Sequence, residues 1–530
     1  MISDRSCPWL DELPILTPSD MRETERKAFA QGVPSLLLME HAAEAVTDAL
    51  EEALGGDCRG KRVLFLCGTG NNGGDGLAAA RLFSQRGGCP TVWLSGVPKT
   101  SDAQVQLKWL TACSSADIQN IGALRPEDWP FTQGCYPKAS FDGYVDALLG
   151  IGLKGKPDDI TTRLINVPYH DFSPVHPPVV AVDVPSGMNG LTGEIFDGAY
   201  IHAGVTVTFH APKPGLYLTK DREAVGRVIT TDIGLWDMMR LTDCLLLPNA
   251  QLNCGMLLPR ALAHLGGRRL NAYKGDCGRV LIYAGSMGMA GAAAMCARAA
   301  VAAGAGLTTV ACPREVMPIL QALAPNAMCI DIAEAIKSPP SYDVLAVGPG
   351  LSQGEDIWAN IQGLFDPAKP SVWDADALNL LARHPRPLGE EAVITPHPGE
   401  AARLLGWPIE RVLAERLAAA QALCEKYGCT AALKSDVTVL CQIDSQGPRY
   451  LLNTTGSPAL AKGGSGDVLA GILAVCLHEN TPPLEAAALA CLWHGLAGIA
   501  GEKIFGQREL TSEELIRCLH PAEEEARKNA

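Results

Sequence analysis

None of the 18 cysteines form a CxxC pair, and the closest two are Cys424 and Cys429. The paired ligand spacing of a zinc site is therefore missing, and a chain of 530 residues needs no disulfide scaffold. The opening MISDRSCPWLDELPILTP lacks a basic start ahead of an apolar core, so no secretory signal is visible and a reducing cytoplasm is expected. Long uninterrupted apolar runs are absent as well. AGAAAMCARAAVAAGAGL (290–307) is broken by Arg298, and EAAALACLWHGLAGIAG (485–501) holds His494 and falls short of a bilayer's thickness. Both read as buried helices. Basic residues are scarce, 44 Lys and Arg against 58 Asp and Glu, and the net charge of −14 excludes a general affinity for nucleic acid or acidic lipid. No internal repeat or low-complexity tract stands out.

What is present is a globular composition, 47% apolar with 54 glycines, long enough for more than one core. RVLFLC (62–67) leads into GTGNNGGDG and then a helix expected near 77–86. TVWL, YVDALLG, VVAVDVPSG and VTVTFHAPK follow at intervals that leave room for crossover helices. Near-continuous apolar strands alternating with helices predict a parallel sheet covered on both faces. The pattern stops at DIGLW, and 239–256 read as a connector. A second αβ series runs from GRVLIYAGS (278–286) through VLAVGPG, SVWDADALNLL, AVITPHPGE, TAALKS and VTVLCQI, with helices expected after most of them. It closes in helical stretches near 459–477 and 484–503 and a polar tail expected to fray.

Chemistry concentrates in the glycine-rich turns. GTGNNGGDG (68–76) has five glycines in nine residues, a composition that brings backbone N–H groups close to an anion at a helix start. A strand–helix turn needing positive φ would use the same glycines. Two more strand ends, DALLGIGLKGK with Asp146 and VDVPSG with Asp183 and Ser186, would open on the same crevice of a parallel sheet. Each acid alone would equally serve as a helix or turn cap. In the second series, NTTGSPALAKGGSGDVLAG (453–471) sets GGSG before a helix with Asp467 in its first turn. That pattern suits an anion hole beside a base for a hydroxyl attacking phosphorus, although Asp also favours this position as a cap.

GTGNNGGDG, LMEHAA (38–43), DALLGIG, VDVPSG and FHAPKPGL (209–216) resemble the epimerase domain of NAD(P)H-hydrate repair enzymes. VGPGL, TPHPGE, LKSDVT and GGSGDVLAG, in that order, resemble the ADP-dependent NAD(P)H-hydrate dehydratase domain, which is similar in fold to ribokinase-like kinases. The resemblance implies an N-terminal Rossmann-like three-layer α/β domain (1–238), a linker (239–256) and a C-terminal ribokinase-like α/β domain (257–530). By matching motif, Asn71, Asn72, Gly73, Gly74 and Asp75, with Gly150, Ile151, Gly152, Leu153, Lys154, Gly155 and Lys156, would line a hydrated-nucleotide pocket. Asp183 would bind substrate there and transfer a proton, Lys213 would assist, and Asn72, Asp146 and Ser186 would hold potassium. Leu191 stands where the family often has an acid.

In the second domain Ala290, Gly350, His397 and Asp467 would contact the hydrated dinucleotide, with Asp467 as the catalytic base. Lys434, Ser435, Asp436, Val437, Thr438 and Gly466 would hold ADP, with Mg2+ on its diphosphate. KSDVT here replaces a sequence that commonly has glycine after the lysine, and GGSG replaces GGTG. The implied function is repair of hydrated NADH and NADPH by a homo-oligomer without nucleic-acid or membrane partners. R and S hydrates would be exchanged at C6, and the S form dehydrated with ADP to give AMP and phosphate. Two rival readings stay open: a vitamin-precursor kinase using Asp467 and ATP, and a nucleotide-sensing role for the first half.

Overall fold

The structure, a computed structural model, describes residues 12–125, 128–129, 141–153, 155–170, 176–196, 198–235, 252–265, 270–478 and 481–528. The chain divides into two compact units, one of Pro14–Leu252 and one that comprises Met1–Leu13 and Asn253–Ala530. The expected division at 238 and 257 differs at both ends. The first strand, β1 (Glu12–Pro14), joins the sheet of the later unit beside β9 (Asn253–Leu257). The expected connector therefore ends in a strand, while 236–251 lie outside the described residues.

In the first unit every residue of RVLFLC after Arg62 is buried, which demands cover on both faces. Val63, Phe65 and Cys67 enter one core with the helices α1 (Pro18–Ala30), α2 (Ser35–Ala53) and α3 (Asn71–Gln85), whereas Leu64 and Leu66 enter another with Trp93, Tyr144 and Leu164. This alternation makes a three-layer unit. The strands are β2 (Arg62–Cys67), β3 (Cys89–Leu94), β4 (Asp117–Asn120), β5 (Gly143–Ala147), β6 (Val179–Val182), β7 (Val205–Phe209) and β8 (Arg227–Thr231). All pair in parallel, in the order β4-β3-β2-β5-β6-β7-β8. The chain builds outward from β2 to β4, then resumes on the other side of β2 at β5. That reversal opens a crevice beyond the carboxyl ends of β2 and β5.

The second unit repeats the device. Its strands are β9, β10 (Arg279–Tyr283), β11 (Leu307–Cys312), β12 (Met328–Asp331), β13 (Val344–Val347), β14 (Ser371–Trp373), β15 (Ala392–Ile394), β16 (Thr430–Leu433), β17 (Thr438–Asp444) and β18 (Gly447–Asn453). The sheet order is β1-β9-β18-β17-β16-β15-β14-β13-β10-β11-β12, with the switch between β10 and β13. From β16 onward the expected alternation with helices fails, since β16, β17 and β18 are consecutive antiparallel neighbours.

The two Ala-rich stretches are core helices. A Cβ on Gly471 of the late helix (Ser465–His478) would meet Cys296 O at 2.3 Å, so that helix and Ala290–Ala303 touch backbone to backbone. Pro483–Phe505 is long and apolar enough to cross a membrane, but 83% of its apolar window is buried in this core. The tail expected to fray is helical over Leu519–Lys528, because Ala522 and Ala526 bury one face and Leu519 O accepts from Trp493 Nε1 at 2.9 Å.

Candidate functional sites

In the first unit the helix expected near 77 starts at Asn71, so NNGGD forms its opening turns. None of the glycines from 68 to 76 has a positive φ. They are required for proximity instead: a Cβ on Gly68 would lie 1.9 Å from Leu148 O, and one on Gly73 would lie 2.0 Å from Gly68 O. Backbone thus packs on backbone at the switch between β2 and β5. The N-cap, Gly70, supplies no side-chain acceptor, which leaves the first N–H groups of α3 for a ligand.

A cavity of about 1170 Å3 opens there. Asn71, Asn72, Asp75, Gly150, Ile151, Gly152, Leu153, Gly155, Lys156 and Asp183 line it. Gly73 and Gly74 are buried beneath it, while Lys154 lies outside the described residues. The sequence reading missed several polar contributors to the wall, among them Arg22, Glu25, Lys99, Gln104 and Asp158. Lys99 could have been found only through its loop, whose backbone N–H reaches Thr69 O at 2.8 Å.

Asp183 and Asp146 differ in kind. Asp183 has φ of +67°, and Val184 N donates to Val182 O across it at 2.9 Å. A three-residue turn with positive φ is a strained way to end a strand. Its carboxylate caps nothing: Oδ1 accepts from Lys213 Nζ at 2.6 Å and from Thr208 Oγ1 at 3.1 Å. Lys213 is 1% exposed and also donates to Thr208 Oγ1 and Phe209 O, so it is neither a surface lysine nor a phosphate anchor. It stands behind Asp183.

Asp146 is a structural tie. Its oxygens accept from Ser186 N at 2.7 Å, Ser186 Oγ at 2.6 Å and Leu148 N at 3.3 Å, joining the ends of β5 and β6. Burial still pushes its carboxyl up to about 6 against those bonds. Asn72, whose Nδ2 is buried without a hydrogen-bond partner among the described residues, packs on Gly150 in the loop that Ser186 holds through Leu149 N.

In the second unit β10, β13, β14, β15 and β16 are parallel neighbours, so the turns after them share one edge. Gly350, with φ of +63°, sits so close to the start of helix Ala290–Ala303 that a Cβ would meet Met289 O at 2.7 Å. Ser286 Oγ donates to Gly350 O at 2.9 Å. Ala290 and Gly350 are thereby brought together at the switch point. After β14, Asp374 Oδ1 accepts from Lys434 Nζ and from Thr395 Oγ1, each at 2.8 Å. Asp374 holds the N-cap position of Ala375–Arg383 yet makes no capping bond. After β15, His397 caps Pro398–Leu405, its Nδ1 accepting from Gly399 N while Glu400 Oε2 accepts from His397 N.

Gly466 closes this edge, because a Cβ there would lie 3.5 Å from Lys434 Nζ and 3.6 Å from Asp374 Oδ2. Beside it, Asp467 stands in the first turn of the late helix, where the helix dipole also favours an acid, and makes no hydrogen bond or ion pair among the described residues. Burial pushes its carboxyl up to about 6, Asp374 adding to the rise and Lys434 opposing it. Burial likewise brings Glu400 to about 7. For Lys434 burial works against the charge, but Asp374 and Glu400 outweigh it and hold the ammonium above its ordinary value. The start of the late helix is fixed from behind by His494, whose Nε2 lies 3.1 Å from Ser465 Oγ and 3.0 Å from Ser465 O. Asp374, Glu400 and His494 were not among the expected site residues.

The turn after β16 is more varied than expected. Ser435 and Asp436 are open and Thr438 is half-buried, but Val437 is 1% exposed and offers no side chain to a ligand. Asp436 Oδ1 accepts from Arg416 Nη1 at 2.8 Å.

A family model described as NAD(P)H-hydrate dehydratase matches residues 280–520, and one described as YjeF-related protein N-terminus matches 35–215. Over 530 aligned residues the chain is 35% identical to the bifunctional NAD(P)H-hydrate repair enzyme Nnr of Moorella thermoacetica, covering 95% of this chain and 96% of that protein. The chain belongs to the bifunctional NAD(P)H-hydrate repair enzyme family. The Nnr of Escherichia coli K12 is 36% identical, with coverage of 94% and 92%. Among solved structures, the ADP/ATP-dependent NAD(P)H-hydrate dehydratase of Bacillus subtilis, co-crystallized with ATP/Mg2+, is 28% identical. It covers 51% of this chain and 97% of that one at a TM-score of 0.47. Within this repair-enzyme chain, each matched family segment contains one of the two switch-point sites.

Proposed function

We propose that the chain repairs hydrated NADH and NADPH at two separate sites, exchanging R and S hydrates in the first unit and dehydrating the S hydrate in the second. The observation that carries the dehydratase reading is Asp467: a half-buried carboxyl without a hydrogen bond or ion pair among the described residues, in the first turn of a helix beside Gly466 and the Lys434 ammonium. There it takes the proton from the C6 hydroxyl as that oxygen attacks the β-phosphorus of ADP, and AMP departs. The ring nitrogen's electron pair then expels phosphate, a far better leaving group than hydroxide, to form a C6=N1 iminium, and loss of a C5 proton to solvent forms the C5=C6 double bond and returns the pair to nitrogen, restoring the dihydronicotinamide. Lys434 and the N–H groups of the late helix stabilise the phosphoryl oxygens, His397 and Gly350 seat the dinucleotide, and Ser435, Asp436 and Thr438 meet ADP.

In the first unit Asp183 moves protons at C6, and Lys213 is its positioning partner. The N terminus of α3 takes the diphosphate, and the glycine loop from Gly150 to Lys156 closes over it. Potassium fits the donors present: the Asp146 carboxylate, buried with only Ser186 and Leu148 as hydrogen-bond partners, the Asn72 amide and the Ser186 hydroxyl are all hard oxygen donors. A bound cation would offset the buried charge and order the loop that follows β5. Among the described residues no group of three or more His, Cys, Asp or Glu side chains forms a ready metal cage, so Mg2+ would be held mainly by the diphosphate, with Asp374 and Glu400 facing it. A cytoplasmic setting is supported by the cysteines, none of which is disulfide-bonded among the described residues.

The test is recovery of reduced-nicotinamide absorbance from an R/S hydrate mixture with ADP, ATP or neither. Complete recovery with ADP and none without nucleotide is expected. Recovery that is independent of nucleotide, or that halts once the S form is spent, would break the reading for the second or the first site respectively.

A further inference from the structure

The first cavity contains an acid that no motif marked. Glu25 projects from α1 into the same space as Asn72, Asp75 and Asp183, and among the described residues its carboxyl makes no hydrogen bond or ion pair. Burial pushes it up, the Asp183 charge adds to the rise, and Lys213 and Arg22 oppose it. Asp183, in contrast, is ion-paired with Lys213 at 2.6 Å. One cavity thus offers an ion-paired carboxylate on the sheet side and a separate, uncommitted carboxyl on a helix.

Exchange of configuration at C6 through a planar intermediate requires such a pair: an acid for the oxygen that leaves and a base for the water that arrives. We propose that Glu25 is the second proton-transfer carboxyl of the epimerase cavity, working with Asp183. The proposal rests on the epimerase reading above. A proton passes from Glu25 to the C6 oxygen, the C6–O bond breaks, and water leaves as the ring-nitrogen pair forms the C6=N1 bond. Water adds to the other face, its oxygen bonding C6 while the C6=N1 pair returns to nitrogen, and its surplus proton passes to Asp183. The reverse direction exchanges the two roles, and solvent resets both carboxyls. Every inversion therefore replaces the C6 oxygen with one from solvent.

The charged groups that act on Glu25 are Arg22 on its own helix, Asp75 on α3, and Asp183 with Lys213 behind it, while Lys99 on the loop after β3 and Lys156 and Asp158 on the loop after β5 line the same cavity. Asp75 is also pushed well up by burial, with Asp183, Glu25 and Asp102 adding to the rise.

The experiment uses the full chain and an R/S hydrate of NADH without ADP, in oxygen-18 water. Epimer exchange is followed by chromatography and isotope uptake at C6 by mass spectrometry. Glu25→Gln is expected to slow both processes together by about 100-fold or more, with KM within threefold, while Glu25→Asp keeps at least a tenth of the rate. The natural protein is expected to lose kcat at high pH as Glu25 gives up its proton, and that fall should be absent from the residual Glu25→Gln activity. Exchange by Glu25→Gln at the natural rate, an unchanged pH profile, or inversion without isotope uptake each overturns the assignment. If the natural protein does not interconvert the epimers, the epimerase reading itself falls, which is visible before any variant is made.

Discussion

Each unit sets a lysine beside its candidate acids, Lys213 buried and Lys434 half-buried, but the two are spent differently. In the first unit Lys213 binds Asp183 itself, the residue proposed to move protons. In the second, Lys434 binds Asp374, and Asp467 is left with a carboxyl near 6. A lysine on the proposed proton-transfer residue holds its carboxyl group in one rotamer, which suits a cavity where a second carboxyl shares the proton transfer. A lysine on the neighbouring acid keeps the base uncommitted and presents positive charge to the phosphoryl group. On the proposed function, the same two residue types serve proton exchange in one place and phosphoryl transfer in the other, and the pairing tells them apart.

The sharpest way to break this comparison is Asp467→Asn. It removes the base without stranding a buried partner, so ADP-dependent recovery from pure S hydrate should fall by about 10³-fold while epimer exchange and thermal stability stay unchanged. Loss of epimer exchange as well would contradict two independent chemistries.

The corresponding change in the first unit should behave differently because of its lysine. Asp183→Asn leaves Lys213 buried without its counter-charge, and breaking a buried pair from one side costs about 3–5 kcal/mol. Instability should therefore accompany an epimerisation loss of about 10²-fold or more. Adding Lys213→Met should restore much of the thermal midpoint and none of the activity. If Asp183→Asn is as stable as the natural protein, Lys213 is not the tie described here. Full activity in the double variant would remove both residues from the chemistry.

The sequence showed the strands and the glycine turns well, because buried parallel strands are continuous apolar runs and RVLFLC coincides with β2. It failed where meaning depends on convergence. Asp374, Glu400 and Glu25 are single acids in ordinary strings, and nothing local reveals that β14, β15 and α1 deliver them to a site. NNGGD reads as a loop because glycine weakens helices, yet Gly73 and Gly74 are helical since glycine lets α3 lie against the preceding turn at Gly68 and against Met39 of α2 and the backbone at Ala103. Expecting Asp146 and Asp183 to be alike failed for the same reason: both end strands, but one ties two turns together and the other is held by a lysine 30 residues away.

A gentler probe of the second site is pH. A carboxyl near 6 acts as a base only when ionised, so kcat/KM for dehydration should be level above about pH 7 and fall toward tenfold per unit well below pH 6. Glu400, at about 7, titrates just above it, so Glu400→Gln should remove any second step in that limb and leave the lower one. A profile that is flat down to pH 5 would mean that Asp467 is not the base.

The smallest effect concerns Asp146. Its folded-state value, about 6, lies above that of an unfolded aspartate, so its burial costs stability at neutral pH, and the cost is relieved as protonation proceeds below 6. A cation that neutralises it should therefore stabilise the chain at pH 8 and do little at pH 5. Replacing choline chloride with potassium chloride at equal ionic strength is expected to raise the first thermal midpoint by about 3 °C at pH 8, the scale of roughly 1 kcal/mol in a unit of this size. The gain should shrink below about 1 °C at pH 5, where the carboxyl is already neutral. Asp146→Asn should abolish the potassium dependence at both values, because it removes the charge while keeping an acceptor for Ser186. A potassium gain that is the same at pH 5 and pH 8, or that survives in Asp146→Asn, would place the ion elsewhere and leave Asp146 as a tie between two strand ends.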